Sequence, residues 1–220
     1  ALYRRRVARL IEIERVRTRI ATDLHDDIGA SLSLIAMLSE VARQQIQHGN
    51  LRVTESLSSI AASSHELVDG MSDIVWAVNP GKDRLSELVK RMRRFASDVF
   101  SSRGIALSFE APDHDRDLRL GADERRELLF ILKEGVNNIA RHSACTRAEI
   151  ILEVKGGSLI LKLHDDGKGF DPAQANEGNG LASMRERARR LGTEIELLSG
   201  NGSGTTLRIK VPLARHRWLA

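Results

Sequence analysis

Glu134-Gly135-Val136-Asn137-Asn138-Ile139-Ala140-Arg141-His142 closes a strongly helical run that begins at Ala122. Leu128, Leu129, Ile131, Leu132, Val136 and Ile139 supply the buried face of that run. On a helix, Glu134, Asn138, Arg141 and His142 lie at i, i+4, i+7 and i+8, on one face of their own. A carboxylate, an amide, a guanidinium and an imidazole are therefore aligned where the core does not need them. Asn offers a neutral oxygen to Mg²⁺, and Arg and His meet phosphate oxygens. A solvated helix surface accounts for the same residues if nothing else converges on them, so the flanking segments decide the reading.

Downstream, Asp165-Asp166-Gly167-Lys168-Gly169-Phe170 follows a strand pattern. Its glycines let a backbone approach a ligand, and Asp165 has the chemistry to accept from an exocyclic amine such as that of adenine. An ordinary Asp-Gly turn is the plainer alternative. Gly178-Asn179-Gly180-Leu181 opens another helix, where bare N–H groups attract anions; a flexible loop ahead of a helix reads the same way. Around these segments, Ile105–Phe109 alternates as a strand and Leu118–Leu120 is a shorter candidate. Ala148–Lys155 and Ser158–Asp165 form a hairpin through Gly156-Gly157, a helix spans about Leu181–Leu191, and Glu194–Leu198 and Thr205–Val211 are the last strands. Helices and mostly antiparallel strands in this order predict an α+β layer, a sheet covered by helices on one face.

Upstream the character is different. From Tyr3 to Gln47 there is no Pro and only one Gly, Gly29. Apolar residues recur at Val16, Ile20, Leu24, Ile28, Leu32, Ile35 and Leu38 with helical spacing. His48-Gly49-Asn50 breaks this pattern, and a second helix is expected over Val53–Val78. Two long helices joined by a short turn make an antiparallel hairpin with more apolar stripe than one seam can bury. Pairing two hairpins into a four-helix bundle covers it, which predicts a homodimer. Asn79-Pro80-Gly81-Lys82-Asp83 reads as the boundary, a turn and a hinge, before a third helix over about Leu85–Ser102. The expected division is a helical hairpin over residues 1–80 and an α+β domain over 84–220. Within the first helix, Thr22-Asp23-Leu24-His25-Asp26-Asp27-Ile28-Gly29 sets an imidazole beside a carboxylate. His can hold a phosphoryl group, with an adjacent Asp to orient it or take its proton, although such a dipeptide alone is usually only surface.

Bulk composition narrows the field. The chain has 220 residues, 41% hydrophobic and 29% charged, as in ordinary globular domains. With aromatics at 4% and a net charge of only +4, there is no interleaved basic and aromatic stripe, so direct nucleic-acid binding is not expected. Cys145 is the one cysteine, so no internal disulfide or thiolate metal cage forms, and a reducing, cytoplasmic setting is the expectation. No run of eighteen apolar residues exists to span a membrane. The start at Ala1, with Arg4-Arg5-Arg6 close behind, fits either a fragment whose first stretch lies just inside a membrane or a basic helix start.

Taken together, the segments resemble the sensor histidine kinases. The second half resembles their ATP-binding domain, a GHKL (Bergerat) α/β sandwich shared with gyrase-type ATPases. The resemblance implies ATP and Mg²⁺ as cofactors. It assigns Glu134 and Asn138 to an asparagine box, with Asn138 on Mg²⁺ and Glu134 as an indirect metal contact, and Arg141 and His142 beside the nucleotide. Asp165, Gly167 and Gly169 match a first glycine box with Asp165 on the adenine amine; Gly178, Gly180 and Leu181 match a second. Gly204-Thr205 matches the terminal Gly-Thr whose Thr supports the adenine pocket. The loop 171–177 is short, implying a small ATP lid. The run Arg19–Gly29 and the stretch Ser72–Pro80 resemble the phosphoacceptor hairpin of the subfamily whose partners are NarL-type response regulators.

The resemblance implies autophosphorylation on His25, assisted by Asp26, and transfer to an Asp of a receiver domain. One position departs from the subfamily. Four residues after Asp26, where a Gln is thought to position a water for dephosphorylating the partner, this chain has Ala30. The departure implies weak phosphatase activity. Two other readings stay open at this level: a non-catalytic nucleotide-binding dimeric scaffold, and a GHKL serine kinase of the anti-sigma class.

Overall fold

A computed structural model describes residues 32, 35–42, 53–112, 118–171, 179–200 and 202–213. The chain divides into two compact units, Ala1–Val78 and Asn79–Ala220.

The described part of the first unit is helical. Helix α1, Val53–Val78, runs 26 residues without Pro, as its apolar spacing predicts, and 35–42 is helical ahead of it. Ile74 and Ala77 are buried, whereas Leu57, Val68, Met71 and Val75 stand exposed. The turn expected at His48-Gly49-Asn50 lies outside the described residues, as does nearly all of the expected first helix.

The second unit is one sheet with helices on one side. Helix α2 (Leu85–Ser101) leads into β1 (Ala106–Glu110), and α3 (Ala122–Asn138) follows with a π-helical turn, Ile139–Ser143. Strands β2 (Arg147–Lys155) and β3 (Ser158–Asp165) form the expected hairpin. Gly156 and Gly157 both take positive φ there, 57° and 71°, the conformation a tight two-residue hairpin turn demands. Helix α4 (Asn179–Arg190) and the strands β4 (Ile195–Ser199) and β5 (Thr205–Pro212) complete the unit. The strand order is β1-β2-β3-β5-β4. All pairings are antiparallel except β1 with β2, which run parallel with α3 in the crossover between them.

Alternation decides which face is dry. Ala148, Ile150 and Leu152 of β2, Leu159, Leu161 and Leu163 of β3, and Leu207, Ile209 and Val211 of β5 are buried. They meet Leu128, Leu129, Ile131, Leu132 and Val136 of α3 and Leu88, Met92, Ala96 and Phe100 of α2, which form the rest of the core. The opposite face carries cross-strand ion pairs, Lys162–Glu149 at 3.1 Å and Arg208–Glu196 at 2.8 Å.

Two local expectations change. Leu118–Leu120 does not join the sheet. Instead Arg119 bridges Arg84, while Leu85 N–H donates to Leu118 O and Leu120 N–H to Asp83 O, both at 2.8 Å. The stretch Asn79–Asp83 is also more than a free hinge, because it is built into the second unit. Arg125, only 2% exposed, donates to Leu120 O at 2.7 Å and to Asn79 O at 3.2 Å. Lys82 pairs with Glu87 at 2.6 Å and Arg119 with Asp83 at 3.3 Å. A buried guanidinium must satisfy its donors, and the two backbone carbonyls it finds hold the segment down.

Candidate nucleotide-binding site

A cleft of about 630 Å³ opens between the end of α3, the start of α4 and the ends of β3, β4 and β5. Four separated stretches of sequence meet in it. Glu134 and Asn138 come from α3, and Arg141 and His142 from the π turn. Asp165 comes from the end of β3 and Gly169 from the loop after it, Gly180 and Leu181 from the first turn of α4, and Thr205 from β5. Leu163, Met184, Leu197 and Leu207 supply apolar walls suited to a flat ring.

Asp165 ends β3 opposite Thr205, with which it is paired in register. It is 2% exposed, and its Oδ1 accepts the Gly167 N–H at 2.9 Å. Burial pushes its carboxyl above the ordinary Asp value, and the Gly167 bond opposes that shift. The neighbouring Asp166 goes the other way. It accepts from the backbone N–H groups of Thr146 and Arg147 and from the Thr146 hydroxyl, each at 2.9 Å. The Arg147 N–H and Thr146 hydroxyl bonds lead in holding it below the ordinary value. One carboxylate thus lines the cleft while the next ties the loop after the π turn to the loop after β3.

The glycines are required by close approach. A Cβ on Gly167 would run into the Ser143 carbonyl oxygen, which also accepts the Lys168 N–H at 2.9 Å. Gly204, with φ at 70°, lies against the Asp165 carbonyl, and Gly169, at 62°, lies against that of Gly200. A Cβ on Gly180 would overlap the Glu134 carboxylate. These contacts pack the loops into a cradle of bare backbone.

Ser199 is a residue that reading the sequence missed. Its hydroxyl accepts the Phe170 N–H at 2.9 Å and lies 3.0 Å from the Thr205 hydroxyl and 3.2 Å from the Gly204 carbonyl. It stitches the loop after β3 to the β4–β5 hairpin. Its clue was faint: a polar residue just ahead of the Gly-rich 200–204 run. The π turn was equally hidden, since the helix expected from Ala122 to His142 widens after Asn138. The widening sets Arg141 and His142 in the cleft wall, both exposed.

His25, Asp26, Ala30 and Gly178 lie outside the described residues. Among the described residues, no cluster of three or more His, Cys, Asp or Glu groups forms a metal cage. The oxygen donors of the cleft, an Asn138 amide with the Glu134 carboxylate one turn before it, suit a hard cation that a phosphate ligand also holds. No helix among the described residues is long and apolar enough to cross a membrane.

Comparison with known proteins agrees with this geometry. Residues 16–83 match the family described as "Histidine kinase", and residues 123–215 match "Histidine kinase-, DNA gyrase B-, and HSP90-like ATPase". The chain is 27% identical over 209 residues to the sensor histidine kinase LiaS of Bacillus subtilis, covering 91% of this chain and 55% of that protein. It is 27% identical over 206 residues to DesK of the same organism, covering 93% and 53%. UhpB of Salmonella typhimurium, described as a histidine-protein kinase/phosphatase, is 27% identical over 203 residues, covering 91% and 40%. The chain therefore spans about half the length of the curated relatives it matches. Among solved structures, the histidine kinase AdeS of Acinetobacter baumannii superposes with a TM-score of 0.60 at 18% identity, covering 87% of this chain and 98% of that one. The blue-light activated histidine kinase of Erythrobacter litoralis gives 0.55 at 20% identity, covering 90% and 61%. These two likenesses speak for the fold.

Proposed function

The chain belongs to the histidine kinases, and on that premise we propose that it is the kinase core of a two-component sensor. The observation that carries this reading is the cleft in which Asn138, Asp165, Gly180 and Thr205 converge from four separate segments. A scaffold or a serine kinase would need no phosphoacceptor segment of the histidine kinase type, and residues 16–83 match one.

In this reading ATP is the substrate. The carboxylate of Asp165 accepts from the adenine amine, and Thr205 and the apolar walls hold the ring. The N–H groups at the start of α4, with Gly178 and Gly180, face the phosphates, and Arg141 and His142 draw charge from them. Asn138 would hold Mg²⁺, with Glu134 in an indirect role, and the cation would supply neutralisation of the phosphate oxygens. Phosphoryl transfer needs positioning and charge neutralisation more than covalent help. His25, neutral, attacks the γ-phosphorus through a ring nitrogen lone pair as the bond to the ADP oxygen breaks. Asp26 holds the other ring N–H and takes its proton. Transfer from His25 to a receiver Asp on a NarL-type response regulator follows. With Ala30 in place of a water-positioning amide, return of the phosphate to water is slow. The domains are the hairpin over 1–80 and the ATP-site unit over 84–220, meeting at the Asn79–Asp83 stretch that packs with the second compact unit, and the working form is a homodimer in the cytoplasm, separate or as part of a membrane sensor.

Incubation with γ-labelled ATP tests the reading. The expected result is acid-labile, base-stable label on the wild-type chain and none on His25→Gln. Acid-stable label, or label unaffected by that substitution, would sink the assignment of His25.

A further inference from the structure

Helices α3 and α4 meet at two points separated by seven residues on each. Glu134 lies against Gly180, and Glu127 receives Arg187 Nη1 at 3.0 Å. The residue numbers ascend on one helix and descend on the other, so the helices are antiparallel with a defined register. Glu127 is almost wholly buried, its side chain 4% exposed. Arg190 and Arg126 approach its second oxygen at 3.6 and 3.9 Å, and the Arg187 guanidinium also lies 4.5 Å from the centre of the Phe130 ring. Arg187 is thus held by charge on one side and by an aromatic face on the other.

Stability alone is a weak reason for such an arrangement, because a buried ion pair returns little more than its desolvation cost. Register is a better one. Among the described residues of α4, only Met184 and Ala188 are buried apolar groups. An interface that small resists a slide by one helical turn poorly, whereas a guanidinium held at once by a buried carboxylate oxygen and by the Phe130 face has few good geometries. A slide would move Gly180 and Leu181 relative to the cleft they line.

We propose that Glu127 is a positioning residue for nucleotide binding: through Arg187 it sets the register at which the first turn of α4 stands in the cleft. The inference rests on the ATP-binding reading above. The test uses the full chain and compares KM for ATP, kcat of autophosphorylation and the dissociation constant of ADP. The variants are Glu127→Gln, Arg187→Gln, their combination and Arg187→Lys. Each Gln variant should raise KM and the ADP dissociation constant about tenfold while kcat at saturating ATP stays within about twofold, and the double variant should lose no more than the worse single one. Arg187→Lys keeps the charge and should recover most of the affinity. Folded variants whose melting temperature drops but whose KM and ADP affinity are unchanged would overturn the inference, as would additive losses in the double variant. If Glu127→Gln does not fold, the partly exposed Arg187 carries the comparison alone. A wild-type chain that binds no ATP would bring down the proposed function, and the inference with it; unchanged affinity in variants of an active chain would bring down the inference only.

Discussion

Asp165 and Asp166 are adjacent, chemically identical and put to opposite uses. Asp165 is buried and holds its proton more tightly than usual, whereas Asp166 is exposed and bound to two N–H groups and a hydroxyl, so it releases its proton more readily. Because the folded state raises the value of Asp165, its ionised form weighs against folding at neutral pH. That penalty fades as pH falls through the raised value. The proposed contact with adenine needs the carboxylate, so acid should weaken binding sooner than an ordinary Asp would allow. We expect the ratio of wild-type to Asp165→Asn affinity for ATP, measured calorimetrically against pH, to fall with a midpoint above 3.8, the ordinary value. The Asn variant serves as reference because the titration of ATP itself cancels in the ratio. A midpoint at or below the ordinary value would contradict the burial account. The Asp-Gly pair marked this loop in the sequence, but spacing could not assign the two roles, because burial is set by strands far apart in the chain.

At the scale of elements, Arg125 gives the clearest case of what periodicity cannot reveal. An Arg in the first turn of a helix reads as surface, yet its guanidinium is buried and reaches Asn79 O, 46 residues away. Pro80 and Gly81 mark a break in the helix through local backbone chemistry. Whether that boundary hangs free depends on a distant side chain. Replacing Arg125 by Met should remove the guanidinium from the Leu120 carbonyl and leave Asn79 O with only the Lys82 N–H, at a cost of about 1–3 kcal/mol in stability. Hydrogen exchange of the amides of Gly81 to Leu85 should speed up in the variant, while β2 and β3 keep their protection. Unchanged exchange over 81–85 would mean that the ladder to Leu118–Leu120 holds the segment without Arg125. The long periodic pieces, α1, the β2–β3 hairpin and most of α3, were legible because each carries its own pattern. The π turn and the Ser199 stitch were not, since both answer to packing between loops.

For the whole molecule, the exposed side of α1 bears on assembly. Leu57, Val68, Met71 and Val75 fall at helical spacings along one helix and are 53%, 62%, 38% and 61% exposed. A soluble monomer seldom leaves a stripe like this in water, because each apolar side chain withdrawn from it contributes about 1.5–3 kcal/mol. A second copy offering the same stripe is the partner a symmetric bundle provides, which is why the homodimer is part of the proposed function. Val68→Glu combined with Val75→Glu would set two carboxylates on each side of that seam, facing their own kind across it. Sedimentation should then report a monomer where the unaltered chain is a dimer. The ATP cleft belongs to the other compact unit, so nucleotide affinity should change by less than about twofold, as expected for distant, independent sites. A dimer that survives both charges would place the association elsewhere on the chain. A collapse of ATP affinity would show that the two units do not fold independently.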